Sequence, residues 1–492
     1  MSAVVTASAG VVADNEKGLP VTQTSHGDSY LVDWEGDHDP GDPRNWTLPV
    51  KMAFTVVGCS MIFAVSFSSS VFGPAEQITA TEFHVGSEVM TLGIALFVAG
   101  FAVGPLLFAP LSELVGHAIP LAVGLVGCAL FQIPCAVAGN VQTLLVCRFC
   151  AGVVGSGVLA VGSGMLAELY GPISRAVAIG FSASMMNLGS VVGPIAGVWI
   201  IERYGWRWTA WTTLIGCGVI GFLALFSIRE TSRSRILVLR AQRLRQQTQD
   251  KAFYCRYEEQ QLDLRVLVQK YLSIPVRMFA QEPILVIMTF YLTLVYGTLY
   301  LSYQIMPVAF KRRGWSGTIA YLPFLSVLLG IVAAWGVFSL FTMTWYTRRV
   351  QSKGTVPPED RLPPMIGAAC ILPPALLWFG WSTETHWAAQ VIACFFVGLA
   401  LQLIFICGIV YIVDVYIPRA NSAISIHVVV RSLVSASFPL WARPMYNSLG
   451  LEWTATVLAG VSAVLLPSPI LFRIYGRKIR TWSRFCDTSR DI

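Results

Sequence analysis

Glu168-Leu-Tyr-Gly-Pro172 closes one long apolar stretch, and Asp414-Val-Tyr-Ile-Pro418 closes another at an offset of 246 residues. Both read acid-x-Tyr-x-Pro. Gly152 and Gly398, inside the stretches that lead to them, stand at the same offset. A third pair, Gly205-Trp-Arg-Trp208-Thr209-Ala210 and Gly450-Leu-Glu-Trp453-Thr454-Ala455, precedes two further apolar stretches at an offset of 245. Chance supplies one such match. Three at one spacing, in equivalent places, argue for a duplicated unit.

The hydropathy around these segments says what the unit is. The 492-residue chain is 55 % AVILMFWYC and only 12 % DEKR, with a mean hydropathy of +0.63, too apolar to hide its surface in one soluble core. A helix of about 20 residues crosses a hydrocarbon layer of about 30 Å. Twelve stretches of that order can be drawn: 51–73, 90–111, 119–137, 142–165, 176–201, 208–228, 284–306, 319–343, 364–382, 388–413, 423–446 and 452–475. The longest break, 229–283, is polar and basic and divides them six and six. The predicted fold is an all-α membrane protein of twelve transmembrane helices in two six-helix pseudo-symmetric halves, residues 50–228 and 284–475. Parallel halves about an axis normal to the membrane are an architecture of transporters. Residues 1–49, polar and without an apolar run for a signal peptide, read as a mostly disordered cytosolic tail, and 476–492 as a second tail.

Basic residues orient the chain. With both termini cytosolic, the inner segments hold 26 Lys and Arg and the outer loops five (Arg203, Arg207, Lys311, Arg312 and Arg313), while Arg148, Arg431 and Arg443 fall within spans. The opposite orientation would violate the positive-inside tendency at most loops. Nine of eleven cysteines lie in apolar stretches, where they read as packing residues, and no disulfide framework is visible.

An ionised group inside the bilayer is costly, by roughly 2.5–3.5 kcal/mol at a helix centre. Arg148 sits in span four among Gly152, Gly155, Gly157, Gly162 and Gly164, and Arg431 in span eleven. Each reads two ways: a cation pinned to carbonyls or to an acid to hold helices together, or a charge in the transport path or coupling step. In span five, Gly189, Gly193, Pro194 and Gly197 combine small residues at every fourth position with a proline, a pattern of close helix packing. Glu113, in the short turn between spans two and three, reads as a helix cap or as a partner for another cytosolic loop. The nearest acids to the apolar cores, Glu113, Glu168 and Asp414, are placed at cytosolic ends, a poor lining for a polycation.

These residues resemble the major facilitator superfamily, and within it the twelve-span fungal drug:proton antiporters that include multidrug, fungicide, polyamine and secondary-metabolite exporters. The resemblance runs from Asp42-Pro-Arg-Asn-Trp46 to the last span. Gly104-Pro105, Ala109-Pro-Leu-Ser-Glu113 and Gly116 are similar to the family's loop two-to-three motif, Arg148 and Gly152 to its span-four motif, and Gly189, Gly193, Pro194 and Gly197 to its span-five antiporter motif. Pro358-Glu-Asp-Arg-Leu-Pro363, Tyr411-Ile-Val-Asp414-Val-Tyr416, Ser422-Ala423, Arg431-Ser432, Phe438-Pro-Leu440 and Met445-Tyr446 look like the subfamily's second half. By resemblance, Glu113 belongs to a cytosolic gate, Arg148 to proton coupling, and the Gly/Pro run to the antiporter interface. Glu168, Asp414 and Arg431 join them as candidate coupling and gating residues. One departure stands out: where the family's loop continues into Arg or Lys, this chain has His117-Ala118, which reduces the gate's charge network or makes His117 a titrating substitute.

The expectation is therefore a secondary active exporter in the cell membrane, moving small amphipathic organic molecules out in exchange for protons. It works as a monomer, with no bound cofactor or metal and no nucleic acid partner. A polyamine exporter and a transporter-like sensor are the alternatives. An enzyme or ATP-driven pump is disfavoured, because six histidines are scattered without metal-ligand spacing and no GxxxxGK[ST] loop exists. Lining residues are sought among the aromatic and polar side chains of spans one, four, seven and eleven. The preferred substrates are neutral or weakly acidic aromatic compounds such as a fungal secondary metabolite or a fungicide.

Overall fold

The computed structural model describes residues 21–23, 30–36, 38–227, 229–250, 252–258, 273–354, 356–483 and 485–486. Six long helices form the first half: α1 Leu48–Ser70, α2 Ser87–Val115, α3 Ala118–Ala136, α4 Val141–Leu169, α5 Pro172–Tyr204 and α6 Arg207–Ser227. After a basic amphipathic helix, α7 Arg233–Thr248, the second half comprises α8 Pro283–Arg312, α9 Phe324–Phe341, α10 Pro363–Trp381, α11 Trp387–Val415, α12 Ala420–Ser435 and α13 Phe438–Leu465, with α14 Pro467–Trp482 after it. Proline opens several of them, at positions 172, 283, 363 and 467, where its missing N–H has no partner to lose.

Among the described residues, eleven helical segments are long and apolar enough to cross a membrane, but the last, Ala420–Trp482, has 63 residues, far more than one crossing needs. Inside it Gly450 adopts φ +78°, a conformation that breaks the helix and suits glycine. The helix is interrupted there, and the 63 residues are long enough to supply spans eleven and twelve. Several helices outrun the apolar stretches read from sequence; Glu168 and Asp414 thus lie in the last turns of α4 and α11 rather than beyond them.

Large apolar side chains such as Phe222, Leu225, Leu340 and Val464 stay exposed around the outside, as a lipid-facing surface requires. The halves meet where α2 packs on α12 and where α5 packs on α9 and α11.

Part of the segment expected as a disordered tail is folded. Strand β2 (Tyr30–Val32) pairs antiparallel with β1 (Val21–Gln23) and parallel with β3 (Phe253–Tyr254). Val32 shares a small core with Leu237, Ala241 and Leu244 of α7 and with Phe253 and Cys255. Burial pushes the Cys255 thiol up, as befits a packing residue. Asp39 and Asp42 receive Arg240 and Arg233 of α7 at 2.8 and 2.7 Å. The N-terminal strap and the start of the linker are one folded unit.

Candidate functional site

Between the halves, at mid-height, lies a cavity that admits about one water molecule, lined by Asn187 of α5, Tyr296 and Leu299 of α8, Ile331 of α9, and Gln402 and Phe405 of α11. Its helices correct the sequence expectation: of spans one, four, seven and eleven, only the seventh contributes to the lining, and spans five, eight and ten supply the rest. The Asn187 side-chain amide donates to Gln402 Oε1, and Gln402 Nε2 donates to Ser184 Oγ at 3.0 Å. These bonds join the halves at a buried polar centre. Among the described residues Asn187 Oδ1 has no hydrogen-bond partner. On α8, Tyr296, Tyr300 and Tyr303 recur three and four residues apart and so share one face, with successive ring centroids 5.1 and 5.4 Å apart. Tyr300 Oη lies 3.1 Å from Ser69 Oγ of α1, a second polar contact between halves.

Two arginines flank this centre. Arg148 Nε donates to Gly93 O at 2.7 Å, and its Nη2 donates to Ser68 O and Ser69 O at 3.2 and 3.1 Å. The guanidinium also lies over Phe72 and Phe97, so it ties α1, α2 and α4 together. Arg431 has a different setting. Its guanidinium lies 4.3 Å from the Tyr296 ring centroid and 5.1 Å from that of Phe405. One turn away, His427 Nδ1 sits 3.4 Å from Thr289 Oγ1, while its Nε2 has no partner.

The end of the bundle expected to face outward is closed by a group that the sequence reading missed. Glu76, just beyond span one, is buried and receives Arg443 Nη2 at 2.8 Å from α13 in the other half, with Gln304 Nε2 of α8 donating at 3.2 Å. The premise that Glu113, Glu168 and Asp414 are the acids nearest the apolar cores is thereby corrected, although this carboxylate already has a cationic partner. Glu202 Oε2 accepts from Thr318 Oγ1 at 2.7 Å and forms another outer contact between halves.

In the last turns of α4 and α11 the duplicated acids find unlike partners. Glu168 Oε2 accepts the backbone N–H of Arg233 at 2.6 Å, whereas Asp414 is paired with Arg361, whose guanidinium lies over Tyr346. Arg480 and Glu359 form a second buried pair at 2.8 Å. Glu230 accepts the N–H groups of His117, Thr231 and Ser232 at 2.9, 2.9 and 2.8 Å, closing the turn between α2 and α3 onto the segment after α6. Gly116 there has φ +91°, and a Cβ on it would lie 2.8 Å from a Glu230 oxygen. Glu113 is exposed at the end of α2, away from the midplane.

The profile of the Major Facilitator Superfamily matches residues 58–439. This chain belongs to the major facilitator superfamily. It is 42 % identical over 488 residues to the citrinin biosynthesis cluster transporter of Monascus ruber, covering 98 % of each chain, and 40 % identical to the ascochitine biosynthesis cluster transporter of Didymella fabae, covering 93 % of this chain and 90 % of that one. Among solved structures it resembles the proton:xylose symporter XylE bound to 6-bromo-6-deoxy-D-glucose, with a TM-score of 0.63 at 15 % identity, covering 87 % of this chain and 96 % of that one. That likeness speaks to the fold alone.

As a major facilitator transporter, the chain carries its family motifs in places the geometry now defines. The resemblance puts the span-five run at an interface between halves. The structure sets it against α1 of the same half: a Cβ on Gly193 would lie 2.9 Å from Val71 N, and one on Gly189 3.0 Å from Phe67 N. In the transporter's loop two-to-three, His117 replaces the family's basic residue and its Nδ1 lies 3.0 Å from Thr231 Oγ1.

Proposed function

We propose that this transporter is a proton-coupled secondary active exporter of small aromatic organic molecules such as a fungal secondary metabolite, toxin or drug. The observation that carries the reading is the polar and aromatic centre shared by the two halves, with Tyr296, Phe405, Asn187 and Gln402 around it and the Glu76–Arg443 pair above it. Rocking the halves about such a midplane site gives alternating access. The names of the relatives support a metabolite as cargo, and the scarcity of unpaired acids near the cavity disfavours a polyamine.

The exporter works in the cell membrane as a monomer with both termini cytosolic, driven by a proton gradient without a bound cofactor. Arg148, Glu113, Glu168, Asp414 and Arg431 are the coupling and gating groups of this reading, and Glu76 joins them as the carboxylate of the outer latch. The test has two arms. Untargeted comparison of secreted metabolites with and without the gene identifies the cargo; purified protein in liposomes then shows whether an imposed pH gradient drives its movement. Movement indifferent to the gradient overturns the coupling, and an unchanged metabolite profile overturns export.

A further inference from the structure

Arg431 is a buried cation without a counter-charge. It is 3 % exposed, yet among the described residues no carboxylate forms an ion pair with it and no hydrogen bond reaches any of its nitrogens. A guanidinium does not shed its proton in proteins, so neutralisation by deprotonation is closed to it. What surrounds it instead are the faces of Tyr296 and Phe405, themselves stacked with centroids 5.9 Å apart and rings inclined by 18°. Both rings also line the midplane cavity. Two buried polar atoms near it in sequence, His427 Nε2 and Ser432 Oγ, have no partner among the described residues either.

Such an arrangement lacks one component. A planar ring carrying one negative charge supplies it: the charged oxygens take the fork of the guanidinium, and the ring stacks against the aromatic faces that already polarise the cation. A neutral ligand would leave the charge unbalanced, and a polycation would oppose it. Resting on the export reading above, we propose that Arg431 is the charge anchor of the substrate site. The cargo is then an aromatic organic monoanion, a carboxylate or an acidic enol or phenol, held by Arg431 and stacked on Tyr296 and Phe405.

The experiment uses the purified full chain and matched probes: 2-naphthoate and coumarin-3-carboxylate, the methyl ester of each, and spermidine. Binding is read by quenching of tryptophan fluorescence. The wild-type protein should bind each acid at least tenfold more tightly than its ester, and spermidine least. Arg431→Gln should remove the acid preference and leave ester affinity within about twofold, at a melting temperature near that of the wild type; Arg431→Lys should restore part of it. Phe405→Leu, which keeps the cation and removes a stacking face, should weaken acid and ester alike. Equal affinity for acid and ester, an acid preference that survives in Arg431→Gln, or no binding of either acid overturns the assignment. The metabolite comparison is independent of these probes: if it shows a neutral exported compound, export stands and the anionic cargo falls.

Discussion

Arg148 and Arg431 are each 3 % exposed, each in a different half, and each stacked on two aromatic rings, yet their surroundings differ in kind. Arg148 spends its donors on three backbone carbonyls from two neighbouring helices. Arg431 has none to spend them on. A buried cation with carbonyl partners holds a half together; one without them is held in readiness for something that arrives. Burial alone therefore does not tell a structural arginine from a functional one, and the destination of the donors does.

The largest effect should come from removing the ground on which Arg148 stands. Its acceptors Ser68 and Ser69 lie beside Val71, against which Gly193 packs with no room for a side chain. Gly193→Leu should force α1 from α5, at about 3 kcal/mol or more, and lower the yield of folded protein by size-exclusion chromatography. Gly197→Ala should do less, and near-normal activity in both would reduce the run to ordinary packing. Arg148→Ala should follow, inserted in the membrane but destabilised by about 3 kcal/mol through the loss of charge-assisted hydrogen bonds. Thermal unfolding should show the loss, and proton-driven efflux in liposomes should fall with it; Arg148→Lys should keep part of both. Full gradient-dependent transport by the alanine variant would end its role in coupling.

Arg431→Gln should break the parallel: less than about 1 kcal/mol of stability, because no hydrogen bond is removed, together with loss of transport. A drop in stability equal to that of Arg148→Ala would erase the distinction. Arg240, half-buried outside the membrane spans, is the control. Arg240→Ala should cost about 1 kcal/mol, since the buried Asp39 carboxylate loses one charged partner but keeps the N–H groups of Glu35 and Gly41. Burial raises the Asp39 carboxyl, but Arg240 and the N–H groups of Glu35 and Gly41 outweigh it and hold it at about 2. A folded value below the unfolded one means that the strap's contribution is complete above about pH 4 and is lost as the pH falls toward 2. Hydrogen exchange of residues 30–47 across that range should report it.

Much of the architecture was legible because it is written in long apolar runs and in an offset of 246 residues. The acids of that repeat landed in equivalent last turns, Glu168 in α4 and Asp414 in α11. What pairs with them was not legible, because Arg233 and Arg361 come from different kinds of connection. Glu76 escaped because it stands just past the end of an apolar run, where an acid reads as exposed; only the return of the chain against Arg443 buries it. The cavity residues Asn187 and Gln402 are neutral amides midway along apolar helices, and nothing in one sequence says that two such groups 215 residues apart face each other. The strap was hidden for the same reason: Leu31 and Tyr254 pair across more than 200 residues, through strands of two or three residues that carry no periodic signal.

The anchoring of Glu168 and Glu230 by residues after α6 has a consequence for dissecting the gene. The duplicated unit ends with its sixth span, but the folded unit does not, since Glu168 takes its partner from Arg233 and the Asp39 and Asp42 strap is closed by α7 and β3. A chain severed at the repeat boundary, near Arg229, would leave the first fragment with open carboxylates and with strand β2 stripped of β3 on one edge. Severed beyond Glu258, it would keep every one of those contacts in a single piece, and two separately expressed fragments would each carry a finished half to the membrane.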